Sequence, residues 1–436
     1  MDIPSPMEPM PVVVLVDGYT SGMYLAPAFR ALGAELVHVQ STPELMASMP
    51  APDLSPYRAN VVHLDLDGTV ARLAGYAPAC VLAGQEPGVE LADALAERLD
   101  APTNGTRYSA ARRDKYAMIE TLRTAGLRCA AHFTHADPDA LVRWVARSTA
   151  YPVVVKPRRS AASDGVFICR DPDEVREAAR TVLASQTIYD ERNQEVLVQS
   201  FLDGTEYVVD MVSYEDRRYV CGVWEYQKRL LPSGRNIYDR ERLLAADEDP
   251  APALVDYLHD VLSALHIRYG PTHAEVIMTG QGPALVEVGA RIAGNMHPGF
   301  HDACAGANQA TVTALAYLDP ERFRAEHAGR VYRKRAEAMC VTTSTTQSGV
   351  VDAIDDGTVA AIESLPTVAG LNLKISPGGR IRPTVDLYSS TMRIFLCGQT
   401  EAAIHRDLRR IEELKDRVYR LRPRGGEVWA ASSSAW

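Results

Sequence analysis

The chain has 436 residues, of which 46% are apolar and 23% charged, and a formal net charge of −10. That length supports two to four domains with a large core, and the composition is that of a globular protein. The acidic balance excludes a nucleic-acid partner held by a general basic surface, so any anion must be met by a local site.

The seven cysteines (Cys80, Cys129, Cys169, Cys221, Cys304, Cys340 and Cys397) are scattered. Their number is odd, no C-x-x-C occurs and no His/Cys spacing suggests zinc, so a reduced, cytoplasmic setting is expected. The opening "MDIPSPMEPMP" lacks the basic and apolar regions of a signal peptide, and the apolar runs are too short to span a bilayer. No membrane partner is expected.

In chain order, "PVVVLVDGYTSGMYLAPAFRALGAELVHV" predicts strand, turn, helix and strand, with Gly33 ending the helix. The nearly continuous β-branched run suits a strand buried on both faces. "NVVHLDL" and "ACVLAG" extend the pattern to about residue 105 as a small α/β unit with a parallel sheet. Its first turn, "DGYTSG", serves either a ligand or the chain alone, since the glycines do not match G-x-G-x-x-G.

"SAARRDKYAMIETLRTAGL" reads as a helix stopped by Gly126, and "DPDALVRWVARS" as one with Asp137 as N-cap and Pro138 at its first position. "YPVVVKP" and "GVFICR" flank a polar loop. "DPDEVREAARTVLAS" spaces Asp171 and Glu174 as a capping box. "EVLVQSFLDGTEYVVDMVSY" reads as two strands joined across "DGTE", and "YVCGVWEY" adds another. "PALVDYLHDVLSALHI" spaces Leu254, Leu258, Val261 and Leu265 for a helix, and "THAEVIM" with "PALVEVGARIAG" predicts a hairpin. From about residue 331 strands with Gly/Pro turns precede a helix, "EAAIHRDLRRIEELKDRVYRL". Its stripe of Ile404, Leu408, Ile411, Leu414 and Val418 is expected to pack on its own domain. The tail "RPRGGEVWAASSSAW" reads as frayed.

Three segments carry chemistry. In "KPRRSAASDGV", Ser160, Ser163 and Gly165 can offer successive backbone N–H groups to an anion, Ala161 and Ala162 permit close approach, and Lys156 adds charge. The competing reading is a solvated surface loop. Glu275 and Glu287 project from apolar strands, where a free carboxylate is costly. Their partner is either Arg291, as a salt bridge, or a divalent cation such as Mg²⁺ held with nucleotide phosphates. Glu206, following a Gly turn, is either an acceptor for sugar hydroxyls or a plain surface residue.

The order Lys115, Lys156 with its Ser/Gly loop, "VQSFLDGTE", Lys228, Glu275, Glu287 and Arg291 resembles the ATP-grasp enzymes over about residues 1–330. The resemblance implies a mixed α/β and α+β fold: a Rossmann-like N-terminal domain (1–105), two ATP-gripping subdomains (106–198 and 199–330) and a β-rich C-terminal domain (331–436). It implies that Lys115 and Lys156 hold the α- and β-phosphates under the "SAASDGV" loop. Gln199 to Leu202 would meet adenine, through backbone groups at Ser200 and Leu202, and Gln199 stands where the family usually has Glu. Glu206 would bind ribose, and Lys228 would lie near the γ-phosphate. Glu275 and Glu287 would bind Mg²⁺, as two ions with Mn²⁺ able to substitute, and Arg291 would face the transferring phosphate. The family often places Asn two residues after the second carboxylate; here Gly289 stands there.

Within that superfamily, "HAEV…LVEVGARIAG", "SAASDGV" and "WEYQKRLLPSGRNIYDRERLL" look most like the L-amino acid ligases and dapdiamide-type amide synthetases. That implies ATP-dependent joining of a carboxylate to an amino acid amine through an acyl phosphate, releasing ADP and phosphate. The resemblance further implies small-molecule substrates, a homodimer, a substrate ammonium at Glu225 (which the residues alone also allow to pair with Lys228) and a pocket bordered by His297 and His301. Two alternatives stand beside it: a biotin carboxylase-like carboxylation, and a nucleotide-binding module without turnover.

Overall fold

The computed structural model describes residues 10–46, 51–161, 163–230, 236–385 and 389–422, with backbone alone for 229–230 and 236–238. Two compact units emerge: Met1–Tyr226 with Arg242–Ala336, and Gln227–Glu241 with Glu337–Trp436. Ala162 and most of the C-terminal tail lie outside the described residues.

The first unit begins with β1 (Val12–Val16), α1 (Leu25–Ala31), β2 (Glu35–Gln40), β3 (Ala59–Val62), α2 (Leu66–Ala74), β4 (Cys80–Ala83) and α3 (Val89–Arg98). The strands pair in parallel in the order β3-β2-β1-β4, as the continuous apolar runs predict. Every residue of β1 is buried. Val14, Val37 and Val81 pack on Leu95 of α3 in one core, and Gly33 takes the left-handed conformation that ends α1 (φ +83°).

Next come α4 (Lys115–Thr124), β5 (His132–His135), α5 (Pro138–Ser148), β6 (Val153–Pro157), β7 (Phe167–Cys169), α6 (Pro172–Ala184) and β8 (Val196–Ser200). Their strands form an antiparallel sheet, β5-β8-β6-β7, with Val153, Val155 and Val198 packed on Leu141, Val145, Val175 and Val182 of the two helices. The helix expected from residue 109 starts only at Lys115. Asp114 is extended there (φ −93°, ψ 114°) and its carboxylate takes the N–H groups of Tyr116 and Ala117, leaving Ala110–Arg112 as a short 3₁₀ turn. The capping box of α6 is displaced by one residue: Asp171 caps Asp173 and Glu174, but Glu174 accepts the N–H of Arg170.

Then follow β9 (Gly204–Tyr214), β10 (Arg217–Leu230), β11 (Asn236–Leu243), α7 (Ala251–Ala264), β12 (Gly270–Thr279), β13 (Gly282–Gly289), α8 (Pro298–Ala305), α9 (Gln309–Leu318), α10 (Pro320–Glu326) and β14 (Arg330–Val331). Within this unit β13, β12, β9 and β10 run side by side, each antiparallel to the next. β8 and β9, read as neighbours across "DGTE", belong to different sheets, so the short link after Ser200 carries the chain from one sheet to the other.

The second unit contains the end of β10 and most of β11 with β15 (Glu337–Thr342), β16 (Gly349–Ile354), α11 (Asp356–Glu363), β17 (Val368–Leu373), β18 (Arg380–Ile381), β19 (Met392–Gly398), α12 (Glu401–Leu414) and β20 (Tyr419–Leu421). Ile404, Leu408, Ile411 and Leu414 pack on Ile394 and Leu396 in the unit's own core. Val418 joins that core from beyond the helix end, because the chain turns at Lys415–Arg417. Among the described residues, no helix is long and apolar enough to cross a membrane.

Candidate active site

The register of β9, β12 and β13 assembles the carboxylates. Glu275 faces Glu287 directly across the hairpin, and Glu206 lies opposite Ile277, two residues along β12 from Glu275. Since strand side chains alternate, all three glutamates project from one face of the sheet. Glu206 is only 5% exposed, which removes the plain-surface reading.

Two lysines meet this face from other elements. Lys115 opens α4, and its Nζ lies 2.5 Å from Glu287 Oε2 while also donating to the Ser160 carbonyl. Lys156, near the end of β6, is buried. Burial first, then the neighbouring Lys115 charge, pushes its ammonium down to about 8, against the pull of Glu287, Glu275 and Glu206. Burial would raise Glu287, but Lys115, Lys156 and Arg291 hold it below the usual carboxylate range. Lysines and glutamates are thus one coupled cluster.

The polar loop joins the antiparallel pair β6 and β7 and is anchored rather than freely solvated. Ser160 Oγ donates to Asp164 Oδ2 at 2.6 Å, and the Ile188 N–H reaches the same oxygen at 3.2 Å. Arg158 pairs with Asp114 and Glu195, and Arg159 takes Glu90 at 2.8 Å. Ser163 (φ +64°) and Gly165 (φ +65°) are both left-handed, the backbone state from which anion-binding turns are built.

Arg291 does not pair with Glu287. Its Nε lies 3.2 Å from Glu86 Oε2, and Nη1 donates to the Ile292 carbonyl at 2.9 Å. Burial would lower its pKa, but Glu86, with Tyr189, Glu287 and Glu275, holds it above the ordinary value. Glu86 itself is buried.

The remaining expected residues are spread more widely. Gln199 is buried on β8; the Ser200 N–H is spent on the Ala131 carbonyl at 2.8 Å, while Leu202 lies in the link to β9. Ser200 therefore cannot offer that N–H to a base. Glu225 is held by Arg242 Nη2 at 2.7 Å. Lys228 is exposed and belongs to the second unit. His297 caps α8, its ring accepting the Phe300 N–H at 3.3 Å, and its carbonyl lies 2.9 Å from His301 Nδ1.

The residues overlooked in the sequence are Glu86 and the loop clamps Asp114 and Asp164. Glu86 follows a parallel strand at its carboxyl end, where open α/β sheets bind ligands, and that was a usable signal. Asp164 lies within the loop between β6 and β7, and an Asp four residues after a Ser was a usable signal for a loop-closing hydrogen bond.

Chemically, Glu275 and Glu287 oppose like charges across a strand pair, which is unfavourable without a cation between them. Two carboxylates completed by phosphate and water are a donor set that suits Mg²⁺. Among the described residues no group of three or more His, Cys, Asp or Glu is arranged to hold a metal alone. An ion at these two carboxylates would have to complete its ligands from elsewhere, such as water or phosphate oxygens.

The sequence pattern of the ATP-grasp domain family matches residues 149–298. Dapdiamide A synthase from Enterobacter agglomerans is 32% identical over 418 residues, covering 94% of this chain and 97% of that protein. The L-amino acid ligase structure from Bacillus licheniformis superposes with a TM-score of 0.74 at 18% identity, over 94% of this chain and 98% of that one. The biotin carboxylase domain of Hydrogenobacter thermophilus 2-oxoglutarate carboxylase shares the fold at a TM-score of 0.64 and 13% identity, over 95% of this chain and 91% of that one. With a full-length relative at that identity and the lysine–glutamate cluster assembled on one sheet face, the chain belongs to the ATP-grasp ligases of the dapdiamide synthase type, ATP-dependent enzymes that form amide bonds and release ADP.

Proposed function

We propose that this ligase joins the carboxylate of an amino acid or small acyl acid to the amine of a second amino acid. One observation carries the reading: Lys115, Lys156, Glu206, Glu275 and Glu287, from five separate elements, converge as one coupled cluster on a single sheet face.

The chemistry follows from charge. A carboxylate resists attack by an amine. One of its oxygens attacks the γ-phosphorus of ATP, the bond to the β-phosphate bridging oxygen breaks, and ADP leaves. The amine nitrogen then attacks the acyl carbon, the carbon–oxygen bond to phosphate breaks, and the nitrogen gives up a proton. In this reading Lys115 and Lys156 hold the α- and β-phosphates, the loop with Ser160, Ser163 and Gly165 covers them, and Glu206 takes the ribose. Arg291 meets the charge on the moving phosphoryl group. Mg²⁺ at Glu275 and Glu287 would neutralise phosphate charge when bound, as two ions that Mn²⁺ can replace. Closing the loop keeps water from the acyl phosphate.

In this reading the chain has four working parts, 1–105, 106–198, 199–330 and 331–436, works in the cytoplasm and forms a homodimer. The pairing of Glu225 with Arg242 does not bar it from a substrate ammonium, since a carboxylate has two acceptor oxygens. The test is ADP release with pairs of amino acids, with mass identification of the product. ADP release without an amide product would reject the reading.

A further inference from the structure

We infer that Glu86, carried by the N-terminal parallel-sheet domain, is the positioning residue that sets Arg291 for the phosphoryl group, and that Gly289 is glycine to admit it. The inference rests on the proposed role of Arg291 at the transferring phosphate.

Arg291 is held at two corners of its guanidinium. Nε faces Glu86 Oε2 at 3.2 Å, and Nη1 donates to the Ile292 carbonyl at 2.9 Å. Among the described residues no hydrogen bond uses Nη2, so the third corner is the one presented to an incoming anion. Fixing a planar cation this way removes the reorientation that would otherwise accompany reaction.

Glu86 is itself fixed. It follows β4 at the start of the short turn Glu86–Gly88 and is 8% exposed. Arg113 Nη1 lies 3.9 Å from its Oε1, and the Arg113 guanidinium sits 4.9 Å over the Tyr189 ring and 3.4 Å from Glu191. The carboxylate thus stands between two guanidinium groups, and its removal would leave like charges facing each other in a buried place. Oε2 makes no hydrogen bond among the described residues, so charge and packing, rather than an aligned bond, hold it beside Nε.

Gly289 supplies the independent observation. A Cβ there would lie 2.7 Å from Glu86 Oε2 and 3.3 Å from Arg291 Cζ. Its φ is not left-handed, so the backbone does not require glycine at this position. Space for the Glu86–Arg291 pair does. Any side chain at 289 must push one member of the pair away.

The test compares Glu86→Gln, Gly289→Ala and the double variant, using the amino-acid pair that the wild type turns over. Each single change is expected to lower kcat about 10- to 100-fold, with KM for ATP held within about twofold, and Glu86→Gln also to lower thermal stability, because it leaves Arg291 and Arg113 uncompensated in a buried place. The double variant is expected to be no slower than the worse single one, because both changes break the same contact. Full multiplication of the two losses, or equal loss in kcat and ATP affinity, would overturn the inference. A second readout needs no substrate. In ¹⁵N-arginine-labelled protein, the Nε–H resonance that Arg291→Lys deletes should move in both Glu86→Gln and Gly289→Ala. An unmoved resonance in both variants would overturn the positioning role. Failure of the wild type to turn over any pair would instead count against the proposed function and leave this second result to decide.

Discussion

Lys115 Nζ lies 2.5 Å from Glu287 Oε2 and donates to the carbonyl of Ser160, so a single ammonium links the carboxylate hairpin to the loop between β6 and β7. The link explains how three remote stretches of sequence act together. Lys115→Met should weaken ATP binding about tenfold or more, the size of one charge-assisted contact. It should also lower the Mg²⁺ needed for half-saturation, because the Glu287 carboxylate is then free of the ammonium that competes with the ion. Equilibrium titration with ATP and Mg²⁺ checks both, and unchanged affinities would contradict the link.

Lys156 makes the site pH-sensitive. Its ammonium ionises at about 8 instead of 10.5, chiefly through burial. Phosphate oxygens favour the charged form, so above that pH binding must take up a proton and ATP affinity should fall. For stability the sign is opposite. The folded state is penalised for carrying the charge below about 8, and that penalty is relieved as pH rises toward 10.5. Calorimetry in buffers of different ionisation enthalpy should detect the proton uptake in the wild type and none in Lys156→Met.

The loop between β6 and β7 depends on Gly165. At φ +65°, with Pro157 Cγ 2.9 Å from where a Cβ would be, Gly165→Ala meets both strain and overlap. The expected loss is about 1–3 kcal/mol, read by chemical denaturation, with faster proteolytic cleavage between Lys156 and Val166. Ser163→Gly, at φ +64°, should instead be neutral or mildly stabilising.

Much of this was legible in the sequence because it rests on local signals. The continuous β-branched run of β1, the N-cap at Asp137 and the loop between "YPVVVKP" and "GVFICR" declare themselves within a few residues. The carboxylate pair was legible because a hairpin forces Glu275 and Glu287 opposite each other. The partners were not, since Lys115–Glu287 and Glu86–Arg291 span distant elements and ion pairs leave no spacing in the chain. The start of α4 was misread because Asp114 can sit inside a helical pattern or cap it, and its extended backbone decides the matter. β8 and β9 read as neighbours because a short turn-like link gives no sign of a change of sheet.

Arg112 tests the framework rather than the chemistry. It is fully buried, pairs with Asp93 at 2.7 Å and donates to the carbonyls of Asn104, Gly105, Leu265 and His266. It thereby ties α3 to the segment that follows α7. Arg112→Ala would strand Asp93 in the interior and should cost about 3–5 kcal/mol. Chemical denaturation measures it, and a loss under 1 kcal/mol would show that the tie is not needed.

The most direct test of the central claim is ADP release from ATP and Mg²⁺ across a panel of L-amino acids, singly and in pairs, with products identified by mass. The account predicts ADP release that depends on the pair and matches an amide or dipeptide mass. Release that needs bicarbonate and biotin, or nucleotide binding with no turnover for any pair, would contradict it.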